Sequence, residues 1–284
     1  MIDLHTHTTA SDGSLTPKEL VTLASRHKIS VLAVTDHDTV DGIPEAALAA
    51  TNAGIIFIPG IEIEIEFNPG EFHLLGYGLD IKAPALSAAL QELKKAREER
   101  NQTIASLFAS SGINIDIETI KTERKSDYIG RPQIAEALVA QKIVKTKQEA
   151  FDRFLGKGKP YYLPKECLSF EHALEVIRQA GGVAVVAHPY SLFVNKTKLA
   201  FLMDEWKERG VQGIEAYHPT AKLGQCRTLE LMARERGFAV TAGSDYHNPG
   251  KPMCGIGRTS GNVPIKDEFY LELLSLLPSA PSPT

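Results

Sequence analysis

Short β-branched runs recur along this chain, and nearly every one stops at a histidine or a carboxylate. Ile29 to Val34 leads into Asp36 and His37, Ile55 to Ile58 into Glu62, Val183 to Ala187 into His188, Gly213 to Tyr217 into His218, and Phe238 to Ala242 into Asp245 and His247. The first segment, read as a strand over residues 2 to 7, carries His5 and His7. Helical signals separate the runs: Thr16-Pro17-Lys18-Glu19 is a capping box opening a helix over 16–27, and helices follow over 44–53, 170–180, 197–209 and 222–236. Repeated βα units require a parallel sheet, and about seven of them predict a barrel or near-barrel. Active sites of such barrels are built at the C-terminal ends of the strands, so these polar residues would converge on one mouth.

The spacing of the motifs points to metal. Alternation along a strand puts His5 and His7 on one face, where two imidazoles can hold one ion. Core packing gives no reason for the pair, because neutral imidazoles gain little from burial and a close pair is costly once either is protonated. Ile61-Glu62-Ile63-Glu64-Ile65-Glu66 alternates strictly, predicting an extended segment with one apolar and one acidic face. Asn68-Pro69-Gly70 then turns the chain into Phe72 to Tyr77, returning His73 toward the glutamates. Each motif alone has an ordinary reading, as a loop, a helix cap or a solvated strand face. Their common position at strand ends is what independent loop residues would not share.

Residues 83–164 differ in character, with few strand signals, a charged helix through Lys94 to Arg100, and helices near 132–141 and 147–155; they read as a helical insertion, a substrate cap between barrel segments 1–82 and 165–284. Within it, Gly130-Arg131-Pro132 sets Arg131 at a helix start, beside free amide groups and the positive end of the dipole. Lys157 and Lys159 lie on a glycine-rich turn that does not form a P-loop, followed by Tyr161 and Tyr162, which could stack on a base. A surface arginine before a helix and a basic turn are also everyday features. The net charge of −4 excludes a global basic field for long duplex nucleic acid or membrane. Three cysteines, Cys167, Cys226 and Cys254, are too few and too scattered for a disulfide scaffold or thiolate zinc site. With no apolar run of membrane-spanning length and a metal motif starting within five residues of Met1, the expected location is the cytoplasm, and a monomer is compatible with the sequence.

Taken as an ordered set, His5-Thr-His7, Asp12, Thr-Asp36-His37, Pro-Gly-Ile-Glu62, His73, Ala-His188-Pro and Gly-Ser-Asp245-Tyr-His247 resemble the PHP (polymerase and histidinol phosphatase) family of metal-dependent phosphoesterases. The resemblance covers residues 1–75 and 170–260. It implies a distorted (β/α)7 barrel and three divalent metal ions: one on His5, His7, Glu62 and Asp245, a second on Asp12, His37 and His247, a third on Glu62, His73 and His188. Position 12 is aspartate where some members carry histidine, which raises local negative charge and favours harder ions. Imidazole and carboxylate without thiolate suit manganese, iron or zinc alike. Paired ions bridged by a carboxylate such as Glu62 can generate a metal-bound hydroxide and clamp the oxygens of an in-line displacement at phosphorus.

The segments around Arg131, Lys157 and Lys159, with Glu215-Ala-Tyr217-His218-Pro219, resemble the subgroup that removes the 3′-phosphate of nucleoside 3′,5′-bisphosphates and trims short RNA from its 5′ end. In that reading Arg131 and a lysine bind a terminal 5′-phosphate while His218 contacts the scissile phosphate or protonates the leaving oxygen. The alternatives are a histidinol-phosphate-type phosphatase, an amidohydrolase, and a non-catalytic metal-binding scaffold.

Overall fold

Seven strands lie side by side in chain order: β1 (Ile2–Asp3), β2 (Val31–Val34), β3 (Ile56–Ile65), β4 (Phe72–Tyr77), β5 (Val183–Val186), β6 (Gly213–Tyr217) and β7 (Ala239–Ala242). The computed structural model describes residues 1–124, 126–248 and 255–277. Neighbouring strands run parallel except at β4, which is antiparallel to both β3 and β5. Beyond the ladder ends Thr6 bridges Tyr246 in parallel, the His7 amide donating to the Tyr246 carbonyl at 3.0 Å, so the sheet nearly closes. This is the expected distorted barrel. The reversal of β4 has a consequence for chemistry: its first residues lie at the rim where the parallel strands end, which places His73 at the mouth.

Three local features depart from the sequence expectation. β1 is only two residues long, because the Asp3 carboxylate accepts the His5 amide at 3.3 Å and takes it from the ladder. The runs on either side of Pro59-Gly60 form one continuous strand, β3. Gly60 permits it: a side chain there would meet Thr35 Cγ2 at 2.8 Å and the Val34 carbonyl at 3.0 Å on the adjacent strand. The sequence also suggests a last short strand near 255–259; it exists as β8 (Arg258–Thr259), but it pairs with β9 (Val263–Pro264) outside the barrel. Cys254 and the Pro/Ser tail of 278–284 lie outside the described residues. Cys226 is buried and Cys167 half-buried, both as free thiols.

The helices α1 (Pro17–Arg26), α2 (Ile43–Ala53), α7 (Phe170–Gln179), α8 (Lys196–Glu208), α9 (Leu223–Glu235) and α10 (Glu268–Leu274) surround the sheet. The predicted capping box of α1 is formed, with Thr16 and Glu19 bonding each other's backbone amides. Between β4 and α7 lie α3 (Pro84–Ser110), α4 (Ile117–Arg124), α5 (Arg131–Ala140) and α6 (Lys147–Ala150), the last running into a π-helical turn over Phe151–Leu155. The 27 residues of α3 belong to two cores. Leu86, Ala89 and Leu93 pack with the sheet residues Ile61, Ile63, Leu74 and Val185. Ile104 and Phe108 pack instead with Ile134, Leu138, Ala150 and Leu155. At about 1.5–3 kcal/mol for each large apolar side chain buried, the sheet core supplies the stability on which a polar mouth can be carried. Among the described residues no helix is long and apolar enough to cross a membrane.

Candidate metal centre

At the mouth, the apolar sheet interior gives way to packed polar groups. Asp3, His5, Thr6, His7, Asp36, Glu62 and Glu215 are all buried. The strict alternation of β3 explains Glu62: Ile61, Ile63 and Ile65 enter the core, which turns Glu62 toward the mouth and Glu64 to its edge. The segment after β1 is held by Asp36, whose carboxylate accepts the Thr8 amide at 2.7 Å, the Thr8 hydroxyl at 2.7 Å and the Ser11 hydroxyl at 2.5 Å. That loop carries Asp12. Across the seam, Asp3 accepts the Ser244 amide (3.0 Å), the Ser244 hydroxyl (2.5 Å) and the Gly257 amide (2.7 Å), fixing the loop that bears Asp245 and His247.

The nine side chains expected to bind metal form one connected cluster. Glu62 is its hub. Its Oε1 lies 2.7 Å from His73 Nδ1 and 2.9 Å from His188 Nε2, and its Oε2 lies 3.2, 3.3 and 3.1 Å from His5 Nε2, His7 Nε2 and His37 Nδ1. Asp245 Oδ1 lies 3.2 Å from His7 Nε2 and 3.5 Å from His5 Nε2, and Asp12 Oδ1 lies 3.1 Å from His247 Nε2. His5, His7, Glu62 and Asp245 offer ligand atoms within 4.8 Å of one another; so do His7, Asp12, His37 and His247, and so do His37, Glu62 and His73. These groupings overlap the three ligand sets implied by the resemblance, with His7 shared between two of them.

Charge and burial compete strongly here. Burial disfavours an ionised Glu62, yet the imidazoles of His37, His5 and His73 hold its carboxyl well below the usual range. Burial likewise opposes a charged His7, but Asp245 and Glu62 raise it to about 10. His37 goes the other way, pushed down to about 4 by burial despite Glu62. Neutral and charged imidazoles are thus packed together around two carboxylates that stay ionised. Although so close to its neighbours, Glu62 Oε2 has no hydrogen-bond partner; nor do the buried His7 Nδ1, Asp12 Oδ1 and His37 Nδ1. Buried polar atoms are normally satisfied. Atoms that converge at 3 Å without hydrogen-bonding geometry suit ligation of a cation, and the imidazole and carboxylate donor set suits a divalent one.

The other expected site residues lie apart from this cluster or at its edge. His218 is at the edge, buried, with Nε2 3.3 Å from Asp245 Oδ2 and Nδ1 accepting the Thr220 amide at 3.3 Å. Arg131 opens α5, its guanidinium 5.0 Å from the Tyr162 ring centroid and 3.4 Å from the Leu155 carbonyl. Lys157 and Lys159 are exposed on their turn. Several participants escaped the sequence reading. Glu215 binds His5 and the His188 amide. Lys165 sits half-buried between Asp38 (2.7 Å) and Glu64 (2.6 Å). Arg97 is buried with its guanidinium 4.0 Å from the centroid of Tyr128, and a charged run such as 94–100 gives no sign of which arginine turns inward. For Glu215 a signal existed: an acid inside the apolar run of β6.

A cavity of 840 Å³ opens beside the mouth, walled by Thr9, Asp38 and Thr39 of the barrel rim and by Arg97 and Tyr128 from the α3–α5 region. Arg124 of α4 reaches across to the Gly13 carbonyl, next to Asp12, at 3.4 Å.

Comparison with known proteins agrees with this geometry. The PHP domain family matches residues 3–156. A protein of Chromobacterium violaceum named 3′,5′-nucleoside bisphosphate phosphatase is 34% identical over 96% of both chains. One of Haemophilus influenzae named 5′-3′ exoribonuclease is 34% identical over 93% of this chain and 95% of its own. A solved structure described as an amidohydrolase from Chromobacterium violaceum, with bound sulfate and no metal, superposes with a TM-score of 0.83 at 33% identity, over 97% of this chain and 96% of that one. With a nearly closed seven-stranded barrel, a histidine and carboxylate cluster at its mouth and full-length relatives that hydrolyse phosphoric esters, the chain belongs to the PHP domain family of metal-dependent phosphoesterases.

Proposed function

We propose that the protein removes the 3′-phosphate of nucleoside 3′,5′-bisphosphates, and that short 5′-phosphorylated RNA is an extended form of the same substrate. The observation that carries the phosphoesterase half of this reading is the convergence of His5, His7 and His37 on Glu62 Oε2 at 3.1–3.3 Å with no hydrogen bond made. Three divalent ions, of manganese, iron or zinc, would be held by His5, His7, Glu62 and Asp245; by Asp12, His37 and His247; and by Glu62, His73 and His188. Held there, they supply the positive charge that activates water and neutralises phosphoryl oxygens.

The residues of the chain itself do the rest. His218 Nδ1 takes the Thr220 amide at 3.3 Å and lies 2.7 Å from the Thr220 hydroxyl; with that hydroxyl donating, the ring proton stands on Nε2 at the mouth, placed to donate to the leaving oxygen. The region 83–164 acts as a cap over barrel segments 1–82 and 165–284. It carries an arginine group suited to the second phosphate: Arg97 Nη1 and Arg100 Nε are buried without partners, and burial together with the charges of Arg131 and Arg97 pulls Arg100 below its ordinary value. Arginines held close against one another favour an anion between them. Support for a tetrahedral dianion also comes from the relative that binds sulfate. The 840 Å³ cavity is of nucleotide size and polar, with Tyr128 on its wall. Lys157 and Lys159 serve as outer electrostatic contacts.

The test is phosphate release from adenosine 3′,5′-bisphosphate with manganese, beside 5′-AMP, histidinol phosphate and a short 5′-phosphorylated RNA. Release that leaves 5′-AMP is expected, with kcat/KM lowered about 10- to 100-fold in Arg131→Ala. Faster turnover of histidinol phosphate, or an Arg131→Ala variant equal to wild type, would overturn the substrate assignment. A His218→Asn variant with full turnover and an unchanged pH profile removes the role given to His218.

A further inference from the structure

Glu215 lies on β6, three residues before His218, wholly buried beneath the mouth. By distance alone it reads as part of another cation site, because His5, Glu215 and His218 offer ligand atoms within 4.8 Å of one another. The hydrogen bonds say otherwise. Oε1 lies 2.9 Å from His5 Nδ1, and Oε2 accepts the His188 backbone amide at 3.0 Å. Both carboxylate oxygens are engaged and neither faces the cluster. An ionised carboxylate only accepts, so the shared proton sits on His5 Nδ1, and Nε2, turned toward Glu62 and Asp245, is the nitrogen left to bind an ion.

The second bond matters as much. His188 has φ +27° and ψ +62°, a backbone conformation that costs a non-glycine residue about 1–3 kcal/mol unless its surroundings fix it. The Glu215 carboxylate supplies one such tie, and Ser191 Oγ, 2.9 Å from His188 Nδ1, supplies another. The fold keeps space for this arrangement. At Gly243, on the loop after β7, a side chain would collide with His5 Cβ and come 2.7 Å from Glu215 Oε1.

We propose that Glu215 is a positioning residue that sets two metal ligands at once, fixing the His5 tautomer through a side-chain bond and the strained His188 backbone through an amide bond. This rests on the reading of His5 and His188 as ligands. Glutamine at this position cannot do both tasks. If its oxygen accepts the His188 amide, its NH2 faces His5 Nδ1 and moves the imidazole proton to Nε2, the nitrogen turned to the cluster. If its oxygen faces His5, NH2 and the His188 amide meet as two donors.

The experiment measures manganese and zinc affinity by competition with a chelator for wild type, Glu215→Gln and Glu215→Asp, with long-range 1H–15N spectra of the histidines in the metal-free proteins. Wild type is expected to show a protonated His5 Nδ1 hydrogen-bonded to Glu215, Glu215→Gln to bind about 10- to 100-fold more weakly with Nδ1 unprotonated, and Glu215→Asp to recover most of the affinity and the Nδ1 signature. Melting curves in chelator show which variants fold; should Glu215→Gln not fold, the wild-type and Glu215→Asp spectra decide. A wild-type His5 with Nδ1 unprotonated, or a folded Glu215→Gln with wild-type affinity, would sink the proposal while leaving the metal centre standing. A wild type that binds neither metal overturns the metal centre itself, and this inference with it.

Discussion

The barrel mouth and the helical region between β4 and α7 follow opposite rules of burial. At the mouth the deepest side chains are Asp3, His5, His7, Glu62 and Glu215, and their partners come from sequence positions up to 254 residues apart. In the helical region they are Ile104, Phe108, Ile134, Leu138 and Leu155, drawn from neighbouring helices, while ion pairs such as Arg153–Glu149 and Lys147–Glu136 lie outside. Burying carboxylates and imidazoles works against stability, and apolar burial favours it. The mouth is therefore shaped by chemistry and carried by the sheet beneath, whereas the helical region is packed around an apolar core of its own and tied to the sheet through the first half of α3.

Glu62→Gln and Phe108→Ala should separate the two most widely. The first removes the hub charge: phosphoesterase turnover is expected to fall about 10³-fold, and the rise in melting temperature on adding manganese should vanish. The second should cost about 3–5 kcal/mol of stability yet keep the manganese-dependent rise. Melting curves with and without metal check both, and a Phe108→Ala variant that loses the metal increment would join the two regions into one energetic unit.

Lys165 tests the border between them. Lys165→Met leaves the buried Asp38 and the half-buried Glu64 without their shared cation, at an expected cost of about 3 kcal/mol in urea unfolding at neutral pH. The pH dependence has a definite sign. Burial opposes an ionised Glu64, but Lys165 outweighs it and lowers the carboxyl to about 2 from 4.5 in the folded state. That lowering stabilises the fold above pH 4.5 and is lost as pH falls toward 2. The difference between wild type and Lys165→Met should therefore be full at pH 6 and shrink through that window; a difference constant from pH 6 to 2 would deny Glu64 any part in it. The smallest effects belong to two matched helix caps. Thr16 of α1 and Thr146 of α6 each accept the amide three residues on, and each alanine variant should lose about 1 kcal/mol. Unequal losses would reveal local unfolding on one side.

Legibility in the sequence divides along the same line. The barrel was readable because each β-branched run announces a strand and each terminating histidine or acid marks its rim; periodicity in β3 alone fixed which way Glu62 points. His73 was reachable through the turn at 68–70. Ligand groupings came from family resemblance, since no local pattern says which imidazoles share an ion. The inward turn of Arg97 and the seat of Lys165 were not legible, because both depend on what another segment presents to them. Helix α4 escaped because Ile117 and Ile120 are too few to stand out as a period. The joining of two predicted segments into β3 depended on Gly60, which reads as a break until the adjacent strand is seen.

The Asp3 clasp across the seam also bears on how the protein is made. Chains emerge from the ribosome N-terminus first. The groups that Asp3 holds, Ser244 and Gly257, are synthesised some 240 residues or more after it. Until that stretch has followed, Asp245 cannot lie beside His7, nor His247 beside Asp12. The cluster at the mouth is therefore put together late, when the segment after β7 closes onto the segment after β1.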